Sequence, residues 1–400
     1  MIQDSLDCNR LLCAKLIIVA GLAWGITYTR KMWNSARSCP RAPICQNLPQ
    51  LPNESVLYPI LLALLAAIAL TPRPVLPAFA FVTLIAALCA HDWTRLRPWV
   101  YQNSFMLVAI GVCNGGGATQ QEALNVCRLI TVSIYFWAGV LKLNAIFFKV
   151  AFPWIIQPLL TRLRPNIQGP IMSLGYAVPL IEAGFAIGLL FPKFRMASLL
   201  AAVVMHCLIL LCFSRLGHKS HGTIWPWNFS MMLTSISLFW KTDQVHAVDI
   251  LVGQHSLFHL TILLVFTIMP SLGLFNLLDP VFSHGHMSGR HVLAGISLTG
   301  RLYEKLPAGI QTHCHQFGWG EGKIYWLGLS EWYQSELRVP PPQQERLLKG
   351  IARNFRRYGA TQDDLDLTVC RMPGFFSKAY PQVVIPGAEL FSGGSNLMPI

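Results

Sequence analysis

The chain alternates between long apolar runs and short polar breaks. Nine runs stand out: Leu11–Tyr28, Val56–Leu70, Val75–Ala90, Trp99–Cys113, Leu129–Phe148, Ile171–Phe191, Met196–Ser214, Ile224–Trp240 and Leu257–Leu278. A bilayer crossing needs about 20 predominantly apolar residues in a helix. The pattern therefore predicts a polytopic, all-α transmembrane bundle of about eight or nine spans over residues 1–280. The break "TPRP" separates the second and third runs, because its prolines cannot continue a helix. "FPWIIQPLLTRLRP" is short and bounded by prolines, which suits a re-entrant or interfacial segment. The first run is read as a retained span rather than a cleaved leader, since many others follow it.

Beyond residue 280 the pattern changes. Residues 281–400 read as a small extramembranous C-terminal segment, with aromatics and prolines such as "VPPPQQERLL". "PPQQERLLKGIARNFRRYGA" predicts one amphipathic surface helix stopped by a glycine. "CNGGGATQ" lacks the Lys-Ser/Thr of a phosphate loop and reads as a flexible connection.

Composition agrees with the pattern. Of 400 residues, 53% are hydrophobic and 12% charged, whereas soluble domains carry about 25% charged residues. Net charge is +13. Before residue 281 there are 19 basic against 9 acidic residues, scattered over loops and span ends. That distribution points to the lipid bilayer as partner and not to nucleic acid, since no basic stripe with interleaved aromatics is present. Eleven cysteines are present. Cys39 and Cys45 share the polar loop "SCPRAPIC", where a disulfide is possible on an oxidising side. Counted on alternate sides of the nine spans, Lys and Arg divide 11 to 7. The positive-inside rule puts the heavier side, with Arg30, Arg95 and Arg215, in the cytoplasm.

Candidate chemistry begins in "YFWAGVLKLN", Tyr135 to Asn144. Tyr135, Ala138, Gly139 and Lys142 share one helix face. The small pair lets a neighbouring helix or a ligand come close. Burial disfavours an ammonium, and a neutral amine in a dry pocket is a good base. The competing reading is snorkelling: Lys142 lies seven residues before Lys149, about 10 Å along a helix axis, within reach of a lysine stem. Glu182, His206 and Asn228 also fall inside apolar runs. Ionisable residues in spans usually face the bundle interior. A shared polar chamber and a purely structural Lys–Glu pair with a hydrogen-bonded histidine both fit. "HDWTRLRPWVYQ" supplies interfacial aromatics, Trp99 and Tyr101 among them, and an Asp92–Arg95 pair. "HGHMSGRH" and "HCH" hold His284, His286, His291, His313 and His315, but no spacing matches a metal site, so solvated loops are expected.

Four segments in order resemble the vitamin K-dependent gamma-carboxylase family and its bacterial relatives, which share the horizontally transferred transmembrane (HTTM) module. "YFWAGVLKLNAIFF" is similar to their Y-x-x-A-G-x-x-K-L-(D/N) segment. "AVVMHCLILLCFSRLGHKSHGTIWPWNFSMMLTSISLFW" resembles their Phe-His-Cys run and aromatic-rich helix. "HDWTRLRPWVYQ" and "IMPSLGLFNLLDPVFSHGHMSGR" resemble their Trp-Gln-Pro-Trp-x-Tyr-Gln and exit segments. The match covers roughly residues 9–290.

The resemblance implies a membrane enzyme of carboxylase or epoxidase type, a lyase or oxidoreductase, in the bacterial cytoplasmic membrane. Its cofactor would be a reduced, vitamin K-like quinone. Lys142 would be the base and His206 a second catalytic residue. Tyr135, Glu182, Asn228, Trp99 and Tyr101 would bind a lipid-soluble substrate. A protein substrate or partner is also implied. The alternative is a non-catalytic quinone-binding or assembly and maturation subunit. Two departures accompany the match: Trp99 stands where the carboxylases have a histidine, and the large region that holds their protein substrate is reduced to about 110 residues.

Overall fold

A computed structural model describes residues 2–34, 37–45, 48, 51, 53–219, 222–253, 256–285, 287–317, 324–377 and 379–392, with backbone alone for 2–6. Helices run α1 (Ile2–Tyr28), α2 (Glu54–Leu70), α3 (Val75–His91), α4 (Pro98–Asn114), α5 (Gln120–Leu141) and α6 (Phe147–Leu160). They continue as α7 (Pro165–Ser173), α8 (Val178–Leu190), α9 (Pro192–Cys212) and α10 (Ile224–Phe239). The helical part ends in α11 (Ala247–Leu251), α12 (Leu257–Phe275) and α13 (Pro280–Ser283).

Their ends follow local chemistry. Asn53 Oδ1 accepts from Ser55 N at the start of α2 (3.0 Å), and Thr119 Oγ1 accepts from Glu122 N at the start of α5 (3.1 Å). Pro98 and Pro192 occupy first-turn positions, where a missing N–H costs nothing.

Four helices, α1 from Asp7, α5, α9 and α12, are long and apolar enough to cross a membrane. The segment Pro165–Leu190, bent by 48°, makes a fifth if taken as one span. α2, α3 and α6 are apolar but shorter. At 17 residues, α2 and α3 reach about 25 Å. The nine-span expectation therefore reduces, at this level, to four or five helices of sufficient length.

Helix α5 is the centre of the bundle. It is far more buried than α9 or α12 and packs most extensively on α8, then on α12 and α4. The outer faces of α8, α9 and α12 carry exposed Leu180, Ile181, Leu200, Leu208, Leu264 and Ile268. An apolar exterior of that extent does not suit water.

The C-terminal segment corrects the all-α expectation. β1 (Leu293–Thr299), α14 (Gly300–Lys305), α15 (Ala308–Gln311), β2 (Cys314–Phe317) and β3 (Ile324–Gly328) are followed by α16 (Leu329–Leu337) and α17 (Glu345–Arg353). β4 (Leu365–Cys370), β5 (Gln382–Ile385) and α18 (Gly387–Ser392) complete it. The five strands form one antiparallel sheet in the order β2-β3-β1-β4-β5. Short strands such as "LAGISLT", which buries Gly295, Ile296 and Leu298, and "LDLTVC", which buries Leu365 and Leu367 to Val369, give a weaker signal than a 20-residue apolar run. The expected surface helix is α17, and Gly359 ends its 3₁₀ extension at φ +80°.

A strap, residues 37–45, ties this sheet to the helices. Glu336 on α16 accepts from Ser38 N and Ser38 Oγ (both 2.5 Å) and from Cys39 N (3.2 Å). Tyr333 OH donates to Pro40 O (3.0 Å). On its other side Arg37 meets Asp92 at 2.6 Å, and Asp92 also sits 3.7 Å from Arg95. Arg95 in turn pairs with Glu54 at 2.6 Å. Asp92 and Arg95 thus belong to a buried ionic cluster under the strap. Cys39 and Cys45 are both free thiols. Cys39 Sγ donates to Glu336 instead.

Candidate functional site

A cavity of about 600 Å³ opens between α5, α6, α8, α9 and α10. Its size fits a small organic ligand, for which pockets run from about 300 to 1,000 Å³. Most of its wall is aliphatic or aromatic, including Phe147, Phe152, Ile155, Leu159, Phe185 and Met231. Five polar residues expected from the sequence line it together: Tyr135, Lys142, Glu182, His206 and Asn228. Trp99 and Tyr101 do not. Trp99 packs against Trp33 and the backbone at Gly25. Tyr101 stacks on Phe266, with ring centroids 4.8 Å apart.

Lys142 is placed by the end of α5. The apolar run continues to Phe148, but the helix stops at Leu141, and Lys142 is its C-cap residue. The cause is Asn144. Its Nδ2 donates to Leu141 O (2.7 Å) and Ser288 O (3.1 Å), and its Oδ1 accepts from Phe147 N (2.9 Å). One side chain thus caps both the helix that ends and the one that begins. Lys142 is therefore at a span's edge and not inside it. It does not snorkel either: Nζ lies 2.5 Å from Glu182 Oε2, and the residue is only 8% exposed.

Gly139 makes that pair possible. A Cβ at Gly139 would lie 2.5 Å from Ala183 N and 2.8 Å from Pro179 O, so α5 and α8 touch there backbone to backbone. One turn on, the lysine meets the glutamate beside Ala183. The small residue in the stripe thus serves helix approach, while Tyr135, Ala138 and Lys142 face the cavity.

A second polar group forms above it. Asn228 Nδ2 donates to Ile224 O (2.8 Å), leaving Oδ1 to accept from His206 Nδ1 (2.9 Å). With the proton assigned to Nδ1, Nε2 is the acceptor, and Tyr135 OH donates to it at 2.7 Å. The Tyr135 oxygen is then open to the Ser235 hydroxyl at 2.8 Å. The sequence Ser235–Tyr135–His206–Asn228 has one proton per link. It holds a neutral imidazole in one tautomer on the cavity wall.

Sequence reasoning missed Ser235, Asn144 and His284. Ser235 and Asn144 carry only a weak signal, a small polar residue near an apolar run. His284, expected in a solvated loop, is buried and lines the cavity. It adopts φ +63°, a left-handed conformation uncommon outside glycine, as the C-cap of α13. Its Nε2 has no hydrogen-bond partner among the described residues. Its ring stacks on Phe266, centroids 5.8 Å apart. His286 lies outside the described residues. His291 packs edge-on to Tyr380, His313 bonds Ser335, and His315 meets Glu331. Among the described residues no three His, Cys, Asp or Glu side chains gather as a metal site.

The cavity has an apolar mouth. Leu163, Leu174, Ile181, Val204 and Leu208 line it and are also exposed on the outer surface. Comparison with protein-family models, curated proteins and solved structures finds no match.

Proposed function

We propose that this chain is a multi-pass integral membrane protein whose chamber binds a lipid-soluble phenol or quinol and removes its hydroxyl proton. One observation carries the reading. Two separate polar groups, Lys142–Glu182 and Tyr135–His206–Asn228, face a single cavity whose remaining wall, His284 apart, is mostly apolar and whose mouth is apolar. A ring with an oxygen substituent and an apolar tail matches that division. The exposed apolar mouth suits lateral entry from lipid. The shorter helices complete a bundle of about nine segments around α5, with the bacterial cytoplasmic membrane as the proposed setting.

The chemistry assigned to Lys142 is that of the base. Two of its three N–H donors make no other hydrogen bond among the described residues, so they are available to a ligand oxygen. When the ligand O–H bond breaks, the proton passes to the Lys142–Glu182 pair. The end state is ammonium, neutral carboxylic acid and phenolate, and total charge is unchanged whichever group accepts first. The ammonium beside the phenolate stabilises it in a low-dielectric chamber. His206 and Tyr135 form a relay on the same wall. The resemblance to the carboxylase family supports epoxidation or carboxylation as the outcome, with dioxygen or carbon dioxide as co-substrate.

A second reading has its own support. Lys142 is already closed onto Glu182 at 2.5 Å, the arrangement of a charge-neutral anchor. On that reading the chain is a quinone-binding or assembly subunit without turnover. Membranes carrying wild-type, Lys142→Ala or Lys142→Arg protein, supplied with reduced naphthoquinones and benzoquinones, separate the two. Epoxide formation by wild type that the alanine variant loses supports the enzyme. Binding without turnover across those quinols supports the subunit, and absence of binding overturns both.

A further inference from the structure

Helix α12 and the sheet meet at one loop, and that loop carries the most exposed large apolar side chain among the described residues. Phe376 is 91% exposed. It sits in the connection between β4 and β5, described over residues 371–377 and 379–381, whose neck is closed by Arg371 N donating to Pro381 O at 2.8 Å. The loop is a built structure. Asn276 Nδ2 donates to Met372 O (3.3 Å) and Pro373 O (3.2 Å), and buried Arg290 donates from Nε to Pro373 O (3.1 Å). The Arg290 guanidinium also lies 5.2 Å over the Phe375 ring. Tyr380 OH donates to Gly289 O. A turn with Ser377 N donating to Gly374 O (2.9 Å) presents Phe376 at the tip.

What the tip faces follows from its neighbours. Along α12 the exposed apolar residues Leu257, Leu260, Leu264, Ile268, Leu272 and Phe275 recur every three or four positions, one continuous stripe. The stripe passes through Phe275 and Leu277 (71% and 72% exposed) and reaches Asn276, the residue that holds the loop. Phe376 is therefore attached at the terminus of an apolar helix face that water does not suit. Trp and Tyr are enriched where a bilayer meets water, and Phe is among the apolar side chains that interfacial segments bury at the headgroup–acyl boundary.

We propose that the β4–β5 loop is a lipid-surface anchor: Phe376 enters the bilayer interface beside Phe275 and holds the C-terminal sheet against the membrane. This rests on the reading of α12 as membrane-facing. The loop's hydrogen bonds to Asn276 and Arg290 set its depth, so the sheet has one orientation to the membrane plane.

Photocrosslinking in native membranes tests it. Benzoylphenylalanine is placed at 264, 376 or 317 of the full chain, one position at a time. All three positions are exposed, so folding is preserved. After irradiation, mass spectrometry is expected to find phospholipid adducts at 264 and 376 and none at 317, on the edge strand β2. A lipid adduct at 264 without one at 376 overturns the anchor and leaves the membrane reading standing. No lipid adduct at 264 overturns both. An adduct of 376 to protein, or equal lipid labelling at 317, also overturns the anchor.

Discussion

Lys142 Nζ and Glu182 Oε2 lie 2.5 Å apart at the floor of an apolar cavity, on two helices that touch through Gly139. Neither charge has a comparable partner among the described residues. A buried ion pair is costly to half-remove, because the survivor stays in a low-dielectric site. Lys142→Met alone and Glu182→Leu alone are each expected to destabilise by about 3–5 kcal/mol, and the double variant by much less than their sum. Thermal unfolding of the four proteins in detergent measures this. Additive losses would mean the charges are solvated separately.

Gly139 is expected to tolerate no side chain. With a Cβ only 2.5 Å from Ala183 N, Gly139→Ala must push α5 and α8 apart. Overpacking of this kind costs about 1–3 kcal/mol. The lysine–glutamate pair would open with it, so ligand binding should weaken along with the unfolding midpoint. Gly184, whose Cβ would meet nothing within 4 Å, is the matched control.

Tyr135→Phe keeps the ring and deletes the hydroxyl shared by His206 and Ser235. Leaving a buried acceptor without its donor costs about 1–3 kcal/mol. Unfolding should register that loss. If the relay serves the proposed deprotonation, the variant should also lower quinol turnover at saturating substrate more than it weakens binding. A change in binding alone would assign Tyr135 to orientation.

The strap provides a pH dependence outside the bundle. Burial pushes the Glu336 carboxyl up, but hydrogen bonds from Ser38 and Cys39 outweigh it and hold the group below its ordinary value. A depressed folded-state value means stability present above the unfolded value, about 4.3, and lost as pH falls through the folded one. Exchange of the Ser38 and Cys39 amides should therefore speed up as pH drops below about 4, after correction for intrinsic rates. Glu336→Gln should show faster exchange at neutral pH and a flat profile across that window.

Cys39 and Cys45 are expected to differ in reactivity. Burial, then the neighbouring Glu336 carboxylate, raises the Cys39 thiol well above its ordinary range, so little thiolate forms. Cys45 is exposed. Iodoacetamide at pH 8 should modify Cys45 and spare Cys39, as peptide mapping would show. Equal labelling would mean the strap is undocked.

Hydrophobic patterning alone located α2, α3, α4, α9, α10 and α12 to within a few residues, because each must present apolar surface over many turns; α1 and α5 begin nine residues before their apolar runs, in polar turns that the pattern does not register. It also singled out Lys142, Glu182, His206, Asn228 and Tyr135, since a polar residue in an apolar run is conspicuous. The end of α5 was hidden: Asn144 caps it through Leu141 O, three residues away, but the same amide is also held by Ser288 O, 144 residues away in the chain, and no local window contains that second partner. His284 was hidden for the same reason, since only the fold carries its loop under α4 and α5. The sheet was overlooked because its central strand β1 gains stability from pairing with β3, 25 to 33 residues away, and with β4, 67 to 77 residues away, not from its own period. The sequence by itself determined an apolar helical chain with a few costly polar residues inside it. Only the tertiary structure decided that five of those residues share one cavity, that Trp99 and Tyr101 lie outside it, and that Lys142 has an acid beside it. Those outcomes depend on backbone contact at Gly139 and on caps between distant segments, which periodicity does not encode.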